Sequence, residues 1–134
     1  MTKRDMAPRS EVAERLAQER NVWMCTLRPD GSPHVTPVWF IYRDQTWWIG
    51  SDEQSVKVRN VKADPRVALA LEDGAAPVVA EGRAQLRGDF PDEVVAAFAA
   101  KYHGWDVRLT YGSSGGRILF EVPVDRWLLA GTAQ

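Results

Sequence analysis

The chain holds one cysteine, Cys25, in 134 residues, so it can form no intrachain disulfide, and a reducing, cytoplasmic setting is expected. His34 and His103 are its only histidines, which leaves no cluster spaced to bind zinc or another transition metal. No apolar run approaches the roughly 20 residues that span a bilayer, and no membrane association is expected. Met1-Thr-Lys-Arg-Asp-Met6 is charged like the start of a signal peptide but continues into Ala7-Pro-Arg-Ser-Glu11 instead of an apolar core. With 17 basic and 18 acidic side chains the net charge is −1, which offers no global attraction for nucleic acid. Familiar catalytic signatures are also missing. There is no Gly-x-Ser-x-Gly elbow. Gly112-Ser-Ser-Gly-Gly116 lacks the Lys-Ser/Thr ending of a P-loop and reads as a flexible loop. Glu72, Glu81 and Asp125 are separated carboxylates without visible pairing for acid–base work. Cys25 lies mid-strand among apolar neighbours and reads as a small buried thiol.

What is present is an ordinary globular composition, 45% hydrophobic and 26% charged, with six tryptophans that suit packing, a flat aromatic ligand or a subunit interface. Residues 1–134 are read as one domain with a flexible N-terminus over 1–8. Helical spacing of Val12, Ala13, Leu16 and Ala17 predicts a helix from Ser10, as cap, to Arg20, covering an open end of a sheet. Strands are expected at Val22–Arg28, Pro33–Tyr42 and Thr46–Gly50, joined by turns at Pro29–Ser32 and Arg43–Gln45. Ser51 followed by Gln54 is a capping-box pattern that opens a second helix, closed by Asp64-Pro65. Strands follow at Arg66–Glu72 and Val78–Arg87, the latter with a bulge or bend at Gly82. A helix from Asp89 or Pro91 to His103-Gly104 carries Val94, Val95, Phe98 and Tyr102 on one side, and strands at Arg117–Val122 and Arg126–Ala130 end the chain. Val35–Tyr42 is apolar on both faces, so each face needs a cover, which a closed barrel wrapped by helices or a second subunit provides.

One stretch combines these elements into a chemical possibility. A strand handing over to a helix at Ser51 presents free backbone N–H groups and a positive dipole end, with Ser51, Ser55, Lys57 and Arg59 close by to bind a phosphate. The same residues also read as a simple cap followed by a solvated cationic face, with Asp52 and Glu53 in the first turn opposing an anion. Thr36-Pro37-Val38-Trp39 gives an apolar strand a polar break that can flank a tricyclic ring. A bound organic cofactor would account for the missing catalytic groups, because it carries the difficult chemistry itself.

Arg28-Pro-Asp-Gly-Ser-Pro-His-Val-Thr-Pro-Val-Trp-Phe40, Gln54-Ser-Val-Lys-Val-Arg-Asn-Val61, Asp64-Pro-Arg-Val-Ala-Leu69 and Val79-Ala-Glu-Gly-Arg-Ala84 together resemble the pyridoxamine 5′-phosphate oxidase-like split-barrel superfamily, in its flavin/deazaflavin oxidoreductase branch. The resemblance implies a mainly β (α+β) fold, a six-stranded antiparallel split β-barrel with two to three short helices. It implies a homodimer with cofactor sites at the interface. Carried over by position, Thr36, Pro37, Val38 and Trp39 line the ring, while Ser51, Ser55, Lys57 and Arg59 bind phosphate. The resemblance further implies coenzyme F420 as first choice of redox group, or FMN, with hydride moving between it and a small conjugated or aromatic substrate. Arg126 and Trp127 are expected near the partner subunit. The C-terminal Asp125-Arg-Trp-Leu-Leu-Ala130 does not reproduce the arginine-containing substrate motif of true pyridoxamine phosphate oxidases, so vitamin B6 synthesis is not expected. A competing class is a carrier of flavin, F420 or haem without turnover, with His34 as a haem ligand. A nucleic-acid-binding barrel rests only on aromatics and the Lys57–Arg66 patch, and the neutral net charge opposes it.

Overall fold

The computed structural model describes residues 8–110 and 115–132; the expectations for residues 1–7 and for Gly112–Ser114 lie outside them. The described chain forms α1 (Ser10–Gln18), β1 (Val22–Leu27), β2 (Pro33–Val38), β3 (Ile41–Arg43), β4 (Thr46–Asp52), α2 (Val56–Ala63), β5 (Arg66–Leu71), β6 (Val78–Arg83), β7 (Gln85–Arg87), α3 (Asp92–Lys101) and β8 (Arg117–Ala130). Strand order is β2-β1-β5-β6-β8-β4-β3, with β7 also on β8, and every pairing is antiparallel. The result is a curled sheet with three helices, a split β-barrel of α+β type. β2 and β3 end the strand path, and no pairing among the described residues joins them.

Eight strands stand where six or seven were expected, for local reasons. The run 33–42 breaks at Trp39 and Phe40 and the run 78–87 breaks at Ala84, whereas the two C-terminal strands merge into β8. β8 holds the barrel together: Arg117–Pro123 pairs with β4, and Val124–Ala130 pairs with β6. Gly82 marks the hand-over. It lies at a register shift, and a Cβ there would run into the Pro123 carbonyl oxygen, so the expected bulge is present and needs glycine.

Alternation along the strands sends Val22 and Met24 of β1, Trp47 and Ile49 of β4, and Phe120 and Val122 of β8 into the barrel. Val12 and Leu16 of α1 and Val58 and Val61 of α2 complete this core. A second cluster lies outside the sheet, where α3 sets Val94 and Phe98 against Ile41, Trp48 and Leu119. α1 begins behind Arg9, not behind a capping Ser10. On β2 the chain's own elements leave Val35 51% exposed.

Candidate functional site

The β4–α2 corner differs from the capping box read from sequence. Pairing of Ser51 with Ile118 and of Asp52 with Arg117 carries β4 through Gly50 to Asp52, so Ser51 is a buried strand residue. The N-cap is Ser55, whose hydroxyl accepts from the Val58 amide at 3.4 Å. Asp52 and Glu53 therefore precede the helix, and the first turn of α2 holds no acid. The two serines still meet, with Oγ atoms 2.8 Å apart.

Lys57 is half-buried in the first turn of α2. Burial lowers its pKa, the Asp52 carboxylate opposes that shift, and Arg117 adds to it. Nothing in the local sequence points to Arg117, which lies sixty residues from Lys57 at the start of a strand. Its guanidinium donates to Asp52 Oδ1 at 3.2 Å and to the Val107 carbonyl at 3.0 Å, with its side chain only 10% exposed. It crosses β4 at Gly50, where a Cβ would meet the Val107 side chain and lie 2.9 Å from an Arg117 Nη atom. Lys57 and Arg117 thus share this corner with the Asp52 carboxylate, and the Glu53 carboxylate lies beside Gly116. Arg59 does not join them: two residues from Lys57, it lies on the exposed side of α2.

Two routes connect this corner to β2. On the barrel side, Lys57 and Asn60 share a face of α2, and buried Asn60 donates to Thr26 Oγ1 at 3.0 Å. Thr26 pairs with His34 and Met24 with Thr36, so His34, Thr36 and Val38 share the inward side of β2. His34 Nδ1 and Thr36 Oγ1 are buried atoms without a hydrogen-bond partner. Pro37 faces the other way, opposite Trp23. On the outer side, Trp39 meets Trp105 edge-to-face with centroids 5.2 Å apart, and the Arg117 guanidinium lies 5.8 Å from the Trp105 centroid. Trp105, like Arg117, carried no local signal, since it follows a helix in a segment read as loop.

Trp127 packs against Tyr42 and Trp47, with centroids 5.9 and 6.2 Å away, while Arg126 pairs outside with Glu81 at 2.6 Å. Cys25 is half-buried instead of buried: it faces a cleft of about 440 Å³ on the outer face of β1, β5, β6 and β8, lined also by Arg66, Ala68, Glu81, Arg83 and Arg126. That cleft is separate from the Ser55–Lys57 corner. Among the described residues, no group of three or more His, Cys, Asp or Glu side chains could hold a metal ion. None of the described helices is long and apolar enough to cross a membrane.

The family model described as pyridoxamine 5′-phosphate oxidase matches residues 8–130, nearly the whole chain. The chain belongs to the pyridoxamine 5′-phosphate oxidase family. Solved structures agree with this family fold. A conserved hypothetical protein, Rv2991 from Mycobacterium tuberculosis, superposes with a TM-score of 0.72 at 25% identity, covering 90% of this chain and 82% of its own. An F420 reductase gives a TM-score of 0.61 at 26% identity, covering 85% of this chain and 93% of its own. The haem storage protein HutZ from Vibrio cholerae gives a TM-score of 0.74 at 15% identity over 96% and 98%, a likeness of fold alone. A comparison with the curated proteins finds no match. Membership of the oxidase family thus comes with relatives of differing activity, and the site residues carry the rest of the argument.

Proposed function

We propose that the protein is an oxidoreductase that binds a deazaflavin or flavin, F420 in preference to FMN, and transfers hydride between it and a small conjugated or aromatic substrate. The observation that carries this reading is the meeting of Ser51, Ser55, Lys57 and Arg117 at the start of α2, with Arg117 paired to Asp52 so that Lys57 is not its only cationic neighbour. Lys57 gives a desolvated point charge and Ser55 a hydroxyl, and the amides opening α2 add donors without intrahelical partners, a set suited to a phosphate. Trp39, just past the end of β2 and linked through Trp105 to Arg117, would border the ring. When bound, such a cofactor accepts and returns a hydride, which removes the need for a dedicated acid–base pair in the chain. Likeness to an F420 reductase supports F420 as first choice.

The reading includes a cytoplasmic homodimer with the cofactor sites at its interface. Support comes from the uncovered outer face of β1 and β2, where Trp23 and Val35 are 39% and 51% exposed. A second copy laid on that face would cover it.

Fluorescence titration of the purified protein with F420 and with FMN tests the cofactor. Binding at micromolar affinity or better is expected, and Lys57→Ala should remove about 1.5–3 kcal/mol of it through loss of a charge-assisted bond. If neither cofactor binds, or the Lys57 variant binds as well as the parent, the assignment fails. The carrier reading has one supporting atom, the buried His34 Nδ1; a Soret band in the protein as purified would favour it.

A further inference from the structure

Phe40 lies between β2 and β3, fully buried, where no strand neighbour serves its backbone. Tyr102, just past the end of α3, supplies the partner: its hydroxyl accepts from the Phe40 amide at 2.8 Å and lies 2.8 Å from the Arg20 carbonyl and 2.9 Å from that of Phe40. Lys101 Nζ donates to the same Phe40 carbonyl at 3.0 Å and to Leu16 O at 3.1 Å, which leaves the tyrosine hydrogen for Arg20. One hydroxyl thus ties the β2–β3 corner, the α1–β1 connection and α3 together.

The Tyr102 ring acts on the neighbouring residue. It stacks on Trp39 with centroids 4.5 Å apart and planes 6° from parallel. The other groups around Trp39 flank this stack. Trp105 lies 5.2 Å from Trp39 and 6.2 Å from Tyr102, whereas a ring beyond Trp39 along the stack would be much farther from Tyr102. The Arg20 guanidinium is 5.2 Å from both centroids, which also places it beside the pair. Among the described residues no ring or cation stacks on the far face of Trp39, and the residue is 38% exposed. A tryptophan held on one face by a clamped tyrosine and free on the other is a rigid stacking surface.

We propose that Tyr102 is a positioning residue that fixes Trp39 as a wall of the cofactor site, the free indole face stacking on the planar ring of the bound cofactor. This rests on the proposed function above, and titrations without substrate keep the cofactor as the only ring present. Tyr102→Leu removes stack and clamp together and should weaken F420 or FMN binding about tenfold, the size expected for one lost aromatic stack. Trp39→Leu should lose the same factor, and the double variant no more than either single one, because both remove one coupled wall. Ribose 5-phosphate, which has the phosphate without the ring, should bind all three variants as it binds the wild type. Wild-type affinity in Tyr102→Leu, losses that multiply in the double variant, or an equal loss of ribose 5-phosphate binding would each overturn the proposal. If Tyr102→Leu does not fold, Tyr102→Phe keeps the ring without the clamp; a loss of about threefold with an altered near-ultraviolet circular dichroism of the ligand-free protein is expected. Unchanged affinity and spectrum overturn it. A wild type that binds neither cofactor sinks the function assignment itself, whereas a binding wild type with unaffected variants sinks only the role of Tyr102.

Discussion

On the outer face of β3, β4 and the first half of β8, α3 lays Val94 and Phe98 over Ile41, Trp48 and Leu119, whereas on the outer face of β1 and β2 Trp23 and Val35 stay 39% and 51% exposed. Both faces are apolar and belong to one sheet. The first is closed by the chain's own helix, and its residues are as buried as those inside the barrel. The second keeps the alternation of a half-covered sheet and borders the cleft at Cys25, Arg66 and Arg126. The contrast teaches that this domain completes only part of its surface itself. Stability should reside on the α3 side, and association on the β1–β2 side.

The largest expected effect is on the closed face. Phe98→Ala removes a fully buried ring from under α3 and should cost about 3–5 kcal/mol, read from the midpoint and slope of urea unfolding. A cost near that of an ordinary surface substitution would erase the distinction between the faces. On the open face, Val35→Lys should leave the unfolding free energy of each subunit within about 0.5 kcal/mol. It should instead weaken self-association by about tenfold to a hundredfold, followed by light scattering across a dilution series. A wild type that is monomeric at all concentrations would remove the association half of the contrast.

The smallest effect concerns Lys101, at the end of α3. Desolvation drops its pKa from 10.5 to about 8, with Glu19 opposing and Arg20 reinforcing the shift. Between these values the unfolded chain binds the proton and the folded chain does not, so stability rises as pH is raised from about 8 to about 10.5. The neutral amine keeps two N–H donors for the carbonyls of Leu16 and Phe40. Screening of a half-buried group limits the gain to about 1 kcal/mol. Thermal unfolding across that range checks it, and Lys101→Met should flatten the slope; a fall in stability over the same range would reverse the assignment.

Much of the fold was legible because it rests on short-range signals. The helical spacing of Val12 and Leu16, the turn at Asp30-Gly31, the break at Asp64-Pro65 and the bulge at Gly82 all appear where they were read. The helix start was misplaced by four residues, from Ser51 to Ser55, because a capping box and a continuing strand look alike until β8 is known to pair through Asp52. At the candidate corner, Ser55 and Lys57 lie together at one helix start as their spacing suggested, whereas Arg59 lies on the exposed side of α2, because adjacency in sequence is not adjacency on a helix. Tyr102 was legible only as a helix-face residue and Arg117 only as a strand start, while the contacts that Arg117, Trp105 and Tyr102 make join segments far apart in the chain.

Residue order by itself determined most of the element types and the family, which follow from periodicity and motifs a few residues long. Only the tertiary structure decided that Arg117 neutralises Asp52 beside Lys57, that Tyr102 backs Trp39, and that one sheet face is closed while the other is open. The physical reason is that φ/ψ preference and side-chain alternation act over a few residues, whereas charge and ring contacts depend on distances set by strand pairing and helix packing across the whole chain.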